Sequence, residues 1–160
     1  MREDARFWPL LTDLASCLCA EITASQLPEP CFCGILPGGI IALDYCEECD
    51  GGKCGMAWVR LTNIAELRSE FVPDSSTCTQ PLRATVEVGI ARCAPTGDEN
   101  GPPTMAEQLD TARLLLADQA AALRAIRCCT GRIFTLGMWT PMGPQGGCVG
   151  GAWTATFEEA

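Results

Sequence analysis

No histidine occurs anywhere in the 160 residues. That absence removes Ser-His-Asp and Cys-His catalysis, HExxH zinc sites and imidazole proton shuttles from what the chain can build by itself. Basic residues are scarce too, 11 against 20 acidic, giving a net charge of −9 and a pI near 4.4. Holding phosphates needs a basic face, so this balance argues against a protein that grips nucleic acid. No apolar run approaches membrane-spanning length, and the start, Met1-Arg-Glu-Asp4, has neither the basic beginning nor the apolar core of a signal peptide. The expectation is a chain made in a cytoplasm, with no membrane partner. No phosphate-cradling or nucleotide-binding motif, internal repeat or interdomain linker can be read in it, so residues 1–160 are expected to form one domain.

What is abundant is cysteine, 12 residues of it, in a chain that is 48% hydrophobic and only 19% charged. A chain of this size and apolar content can bury a core without bridges, so small size does not account for the thiols. Three forms of thiol chemistry remain: disulfides, a thiolate metal site, or reduced cysteines packed as small apolar residues.

From Asp4 to Ser25, the residues Phe7, Leu11, Leu14, Leu18 and Ile22 fall on one stripe at helical spacing, and Pro9 fits only in the first turn. Residues 26–55 are rich in Pro, Gly, Cys and acid and read as an irregular cysteine-rich insertion with one short apolar run, Ile40, Ile41 and Leu43. Met56 to Asn63 reads as a strand, and a loop containing Pro73-Asp-Ser-Ser76 follows. From Leu82 to Cys93, Val86, Val88 and Ile90 alternate with Thr85, Glu87 and Gly89, the clearest period of two in the chain. Thr104 and Glu107 form a capping box opening a helix to about Arg127, with an expected buried stripe of Met105, Leu109, Ala112, Leu116, Ala120 and Leu123 and a stop at Gly131. Ile133 to Thr140 and Ala152 to Glu158 read as two final strands. Between them the glycine- and proline-rich stretch 140–151 reads as a loop.

This order implies an α+β domain, a mostly antiparallel sheet packed on two helices, with the cysteine-rich insertion and a Gly-rich hairpin or arm. The glycine stretch is either a surface hairpin tip or an arm that orders on a neighbouring subunit. In the second case Trp139, Met142, Gly146, Gly147 and Trp153 are the subunit-interface candidates, the aromatics and Met142 serving as apolar anchors.

The run Gly137-Met-Trp-Thr-Pro-Met-Gly-Pro-Gln-Gly-Gly-Cys-Val-Gly-Gly-Ala-Trp153, with Cys46-Glu-Glu-Cys49 leading into Cys54-Gly-Met-Ala-Trp-Val-Arg-Leu61 and with Val86-Glu-Val-Gly-Ile-Ala-Arg-Cys93, resembles neck proteins of long-tailed phages of actinobacteria. The order of elements is similar to that of tail terminators. The resemblance implies a structural virion protein assembled in the host cytoplasm, not an enzyme. It would form a ring, usually a hexamer, that caps the major tail tube protein and presents its upper face to a head-completion or connector protein. DNA would pass through the lumen without specific binding, and the net charge of −9 is consistent with a lumen that does not hold it.

Cys31, Cys33, Cys46, Cys49 and Cys54 are candidates for a thiolate zinc site, the one cofactor the sequence leaves open; otherwise no cofactor is expected. The remaining Cys17, Cys19, Cys78, Cys93, Cys128, Cys129 and Cys148 lie at scattered element ends, which suggests bridges, and a virion part persists outside the reducing compartment. Cys17 and Cys19 face apart on their helix, and adjacent Cys128 and Cys129 are expected to serve different partners. The rival readings are another neck role, as adaptor or head-completion stopper, a zinc-stabilised protein-binding adaptor, and a thiol oxidoreductase built on Cys46-Glu-Glu-Cys49. The last is disfavoured because acidic neighbours raise a thiol's pKa.

Overall fold

The structure, a computed structural model, describes residues 6–38, 41, 43, 45–67, 81–97, 99 and 101–159. The loop read around Pro73 and Ser76, Cys78, Ile40 and the first residues of the N-terminal helix as read from the sequence, from Asp4, lie outside the described residues. The architecture is α+β, with helices α1 (Trp8–Ala24) and α2 (Met105–Cys129) on a five-stranded sheet. The strands are β1 (Phe32–Ile35), β2 (Met56–Glu66), β3 (Leu82–Cys93), β4 (Phe134–Gln145) and β5 (Cys148–Glu158). Their spatial order is β1-β2-β3-β5-β4. β1 pairs parallel to β2, and the other three pairings are antiparallel.

The leucine stripe of α1 makes the main core. Leu10, Leu11, Leu14, Ala15, Leu18 and Ile22 are buried, Phe7 joins them, and Pro9 sits in the first turn, where no helical N–H partner is lost. Opposite them, the period of two along the strands sends Ala57, Val59, Val86, Val88, Ile90, Ala155 and Phe157 to the helix side of the sheet. Each large side chain buried this way contributes about 1.5–3 kcal/mol.

The other parity builds a second core. Met56, Trp58, Ala91, Cys148 and Ala152 are buried on the face away from the helices, beneath Leu36, Ile41 and Leu43 of the cysteine-rich segment. The described residues of 36–55 therefore form a third layer, which covers a face that would otherwise expose Trp58. The segment 26–55 is also less irregular than its composition suggests. Phe32–Ile35, lying between Pro30 and Pro37, forms the edge strand β1, in register from Phe32 opposite Met56 to Ile35 opposite Val59.

Two further expectations need correction. The capping box of α2 is present, with Thr104 accepting from the Glu107 N–H. Its expected stripe is not the buried one: Met105, Leu109 and Leu116 are 87%, 51% and 69% exposed, and Ala112 is exposed as well. Asp118, Ala121, Ala122, Ala125 and Ile126 face the sheet instead. Small alanines bring the helix axis close to the strands, where Arg92 of β3 reaches Asp118 with two hydrogen bonds of 2.9 and 2.7 Å. The stretch 140–151, read as a loop, is mostly strand: β4 runs to Gln145, β5 begins at Cys148, and Gly146 and Gly147, with φ of 55° and 76°, form the two-residue turn. Within the chain this stretch pairs as the β4–β5 hairpin.

Candidate functional site

The cysteines define where the layers are tied together. On α1, Cys17 and Cys19 point to different neighbours: Cys17 bonds Cys129 at the end of α2, and Cys19 bonds Cys33 on β1. Cys31 bonds Cys49 inside the third layer, Cys46 bonds Cys148 on β5, and Cys54 bonds Cys93 at the end of β3. The Cα separations lie between 5.3 and 6.1 Å, within the span a bridge requires. Cys128 is exposed and unpaired.

The five cysteines considered for zinc are thus distributed over four different bridges, and only Cys31 and Cys49 meet each other. Cys46 and Cys49, at CxxC spacing, are bonded to Cys148 and Cys31 rather than to one another. Among the described residues no group of three or more Cys, Asp or Glu is gathered as metal ligands.

The interface candidates on the final hairpin are largely engaged within the chain. Trp139 and Trp153 pack on the main core with ring centroids 5.9 Å apart, and the Trp153 indole N–H donates to the Gln119 carbonyl of α2 at 3.0 Å. Met142 packs on the second core. Gly146 and Gly147 are exposed at the turn, beside Leu43 and the Cys46 carbonyl.

Among the described residues, the outer side of α2 is an uncovered apolar surface. At 100° per residue, Met105, Leu109, Ala112 and Leu116 fall in one row, opposite the face carrying Asp118, Ala121 and Ala125. α2 is consequently apolar on two sides, and the described residues cover one. Beside the row lies an open groove of about 370 Å³ between α2 and the tip of the β4–β5 hairpin, lined by Pro95, Pro103, Ala112, Leu115, Pro144 and Val149 among others. Sequence periodicity identified the row; its direction depends on the alanines and the Arg92–Asp118 pair, which periodicity does not weigh.

Electrostatically, the polar groups that meet inside the fold are paired. Arg92 and Asp118 are 5% and 0% exposed at their side chains, and Arg92 also donates to the Pro28 carbonyl. Glu87 receives the Trp58 indole N–H at 2.8 Å and a two-point contact from Arg60 at 2.9 Å. Two surface carboxyls are held below their ordinary range. Glu29 is lowered by its hydrogen bond to Lys53 and then by the charge of that lysine; Glu107 is lowered by the hydrogen bonds of the Thr104 hydroxyl and N–H. These are surface and capping interactions.

In comparisons with known proteins, no protein-family profile and no curated protein matches the chain.

Proposed function

We propose that the chain is a structural virion protein of the neck of a long-tailed phage, a tail terminator whose copies form a ring on the end of the tail tube and join it to the head connector. The observation that carries this reading is the apolar row of Met105, Leu109 and Leu116, which is left uncovered among the described residues. Large apolar side chains aligned on one helix face mark a surface that another protein covers. The element order, a helix, three strands, a helix and a final strand pair, agrees with the resemblance drawn from the sequence. The bridges suit a part that outlasts the reducing cytoplasm in which it is made. On this reading the partners are further copies of the chain, the major tail tube protein below and a head-completion or connector protein above, with DNA passing through the lumen without specific binding.

The test is localisation. Gold-labelled antibody to the chain should mark the junction of head and tail in purified virions, and tubes incubated with the purified chain should carry it at one end only. Label at the connector of tailless heads would make it an adaptor or stopper instead, and absence of the chain from virions would remove the neck reading altogether.

A further inference from the structure

We infer that the third layer is a redox-controlled cover: with its bridges reduced it leaves the sheet and uncovers Trp58, while the body of helices and sheet keeps its fold. The inference goes beyond the neck reading and does not depend on it.

The two sides of the sheet are held by different means. On the helix side the means is apolar burial. Leu10, Leu14, Leu18 and Ile22 of α1 are at most 1% exposed and share their core with Val86, Val88 and Phe157. None of the buried residues of that core comes from the described part of 36–55. The charge pairs on this side, Arg92 with Asp118 and Arg124 with Glu21, lie outside the segment as well. One bridge, Cys17–Cys129, spans the two helices. Reducing it removes a restraint on the unfolded chain and none of the buried apolar area.

The third layer is built the other way round. Among its described residues Cys46 is the one buried side chain, and Leu36, Ile41 and Leu43, which pack over the second core, are half-buried. Its backbone contacts from Cys49 to Lys53 and from the Gly55 N–H to the Tyr45 carbonyl stay within the layer, and the Lys53–Glu29 ion pair is exposed. Against these weak ties stand three bridges: Cys46 to Cys148 on β5, Cys54 to Cys93 at the end of β3, and Cys49 to Cys31 ahead of β1. Cys93 and Cys148 are directly opposite on β3 and β5, so two of the three fasten the layer at one place on the sheet. A cover fastened by covalent links comes off when they are cut, because half-buried aliphatics do not offset the chain entropy of ordering the segment.

Cutting them takes a dithiol reductant. Its thiolate attacks one bridge sulfur and forms a mixed disulfide, and the other cysteine leaves as a thiolate that takes up a proton. The second thiol of the reductant then displaces the first cysteine. Each bridge gains two electrons and two protons, and the dithiol is oxidised to its cyclic disulfide. The face that opens carries Met56, Trp58, Ala91 and Ala152.

Hydrogen–deuterium exchange with mass spectrometry on the full chain, oxidised and in excess dithiothreitol, reads the two sides separately. On reduction the hydrogen-bonded amides of Cys49 and Gly55 should exchange about tenfold faster or more, while α1 and the middle of β3 stay protected. Acrylamide should quench the reduced chain more strongly than the oxidised one, and Trp58→Phe should remove most of that gain. A variant carrying Cys46→Ala, Cys54→Ala, Cys93→Ala and Cys148→Ala keeps Cys17–Cys129 and should open in the same way without reductant. A layer that stays closed in the reduced chain or in this variant overturns the inference. So does a loss of protection in α1 together with the layer, which would make the chain one cooperative unit. None of these outcomes bears on where the chain sits in a virion.

Discussion

The indole of Trp58 occupies the space that a side chain at Gly89 would need. The two residues are directly opposite on β2 and β3, and a Cβ built on Gly89 would run into the six-membered part of the ring. The indole is held there by its hydrogen bond to Glu87 and by the third layer above it. Gly89→Ala should therefore destabilise the chain by about 1–3 kcal/mol, the usual cost of overfilling a packed core. Urea unfolding followed by tryptophan emission measures this. Gly143→Ala, where an added Cβ meets nothing within 4 Å, is the matched control and should change stability little.

Arg92 and Asp118 join β3 to α2 through a buried pair that stands in place of larger apolar contacts. Removing one partner leaves the other charge uncompensated, so Asp118→Ala should cost about 3–5 kcal/mol. Replacing both, as Arg92→Met with Asp118→Leu, should restore most of that loss, because a packed apolar pair of similar volume avoids the desolvation of two ions. Denaturant midpoints of the three variants decide it; a double variant as unstable as Asp118→Ala would show that the pair does more than fill and neutralise the site.

The same pair marks how far the sequence could be read. α1 and β3 were legible because their apolar spacing matches one period and one buried direction, as Leu14 and Leu18 or Val86 and Val88 illustrate. α2 misled because its bulky residues and its small ones both recur at helical spacing. Periodicity favours Leu109 and Leu116, whereas the sheet accepts Ala121 and Ala125 beside a paired Asp118. β1 was hidden by its length, four residues including Gly34 between two prolines. The continuation of β4 and β5 was hidden by glycines that normally signal a loop; Gly151 in fact lies under Trp139, where a Cβ would strike the indole. Bridge partners were beyond reach because they are set by tertiary neighbours, although the opposite directions of Cys17 and Cys19 follow from helix geometry alone.

Two bridges leave α1 and close loops of very different size, 112 residues for Cys17–Cys129 and 14 for Cys19–Cys33. If each acts mainly by restricting the unfolded chain, the longer contributes about 4–5 kcal/mol and the shorter about 3 kcal/mol. The paired variant Cys17→Ala with Cys129→Ala should then be the less stable of the two paired alanine variants, by about 1–2 kcal/mol. Equilibrium urea unfolding under non-reducing conditions tests the order. A reversed order would show that the Cys19–Cys33 link matters chiefly for holding β1 in place in the folded state.

Acid should loosen the start of α2 through Glu107. Its carboxylate accepts from the Thr104 N–H at 2.7 Å and the Thr104 hydroxyl at 2.8 Å, and these bonds lower its pKa from the ordinary 4.5. A carboxyl depressed in the folded state contributes stability that is fully present above its unfolded value and is lost as pH falls through the folded one. Glu107→Gln keeps a side chain able to bond the cap but removes this titration. The wild-type advantage in melting temperature over Glu107→Gln should stay level from about pH 7 to about pH 5.5 and shrink as pH falls through and below about 4.5. Thermal melts at matched ionic strength read the difference directly, and other titrating groups largely cancel between the two proteins. A gap that is unchanged at about pH 3 would mean that the glutamate supports the helix by its shape and hydrogen bonding alone, with no contribution from its charge.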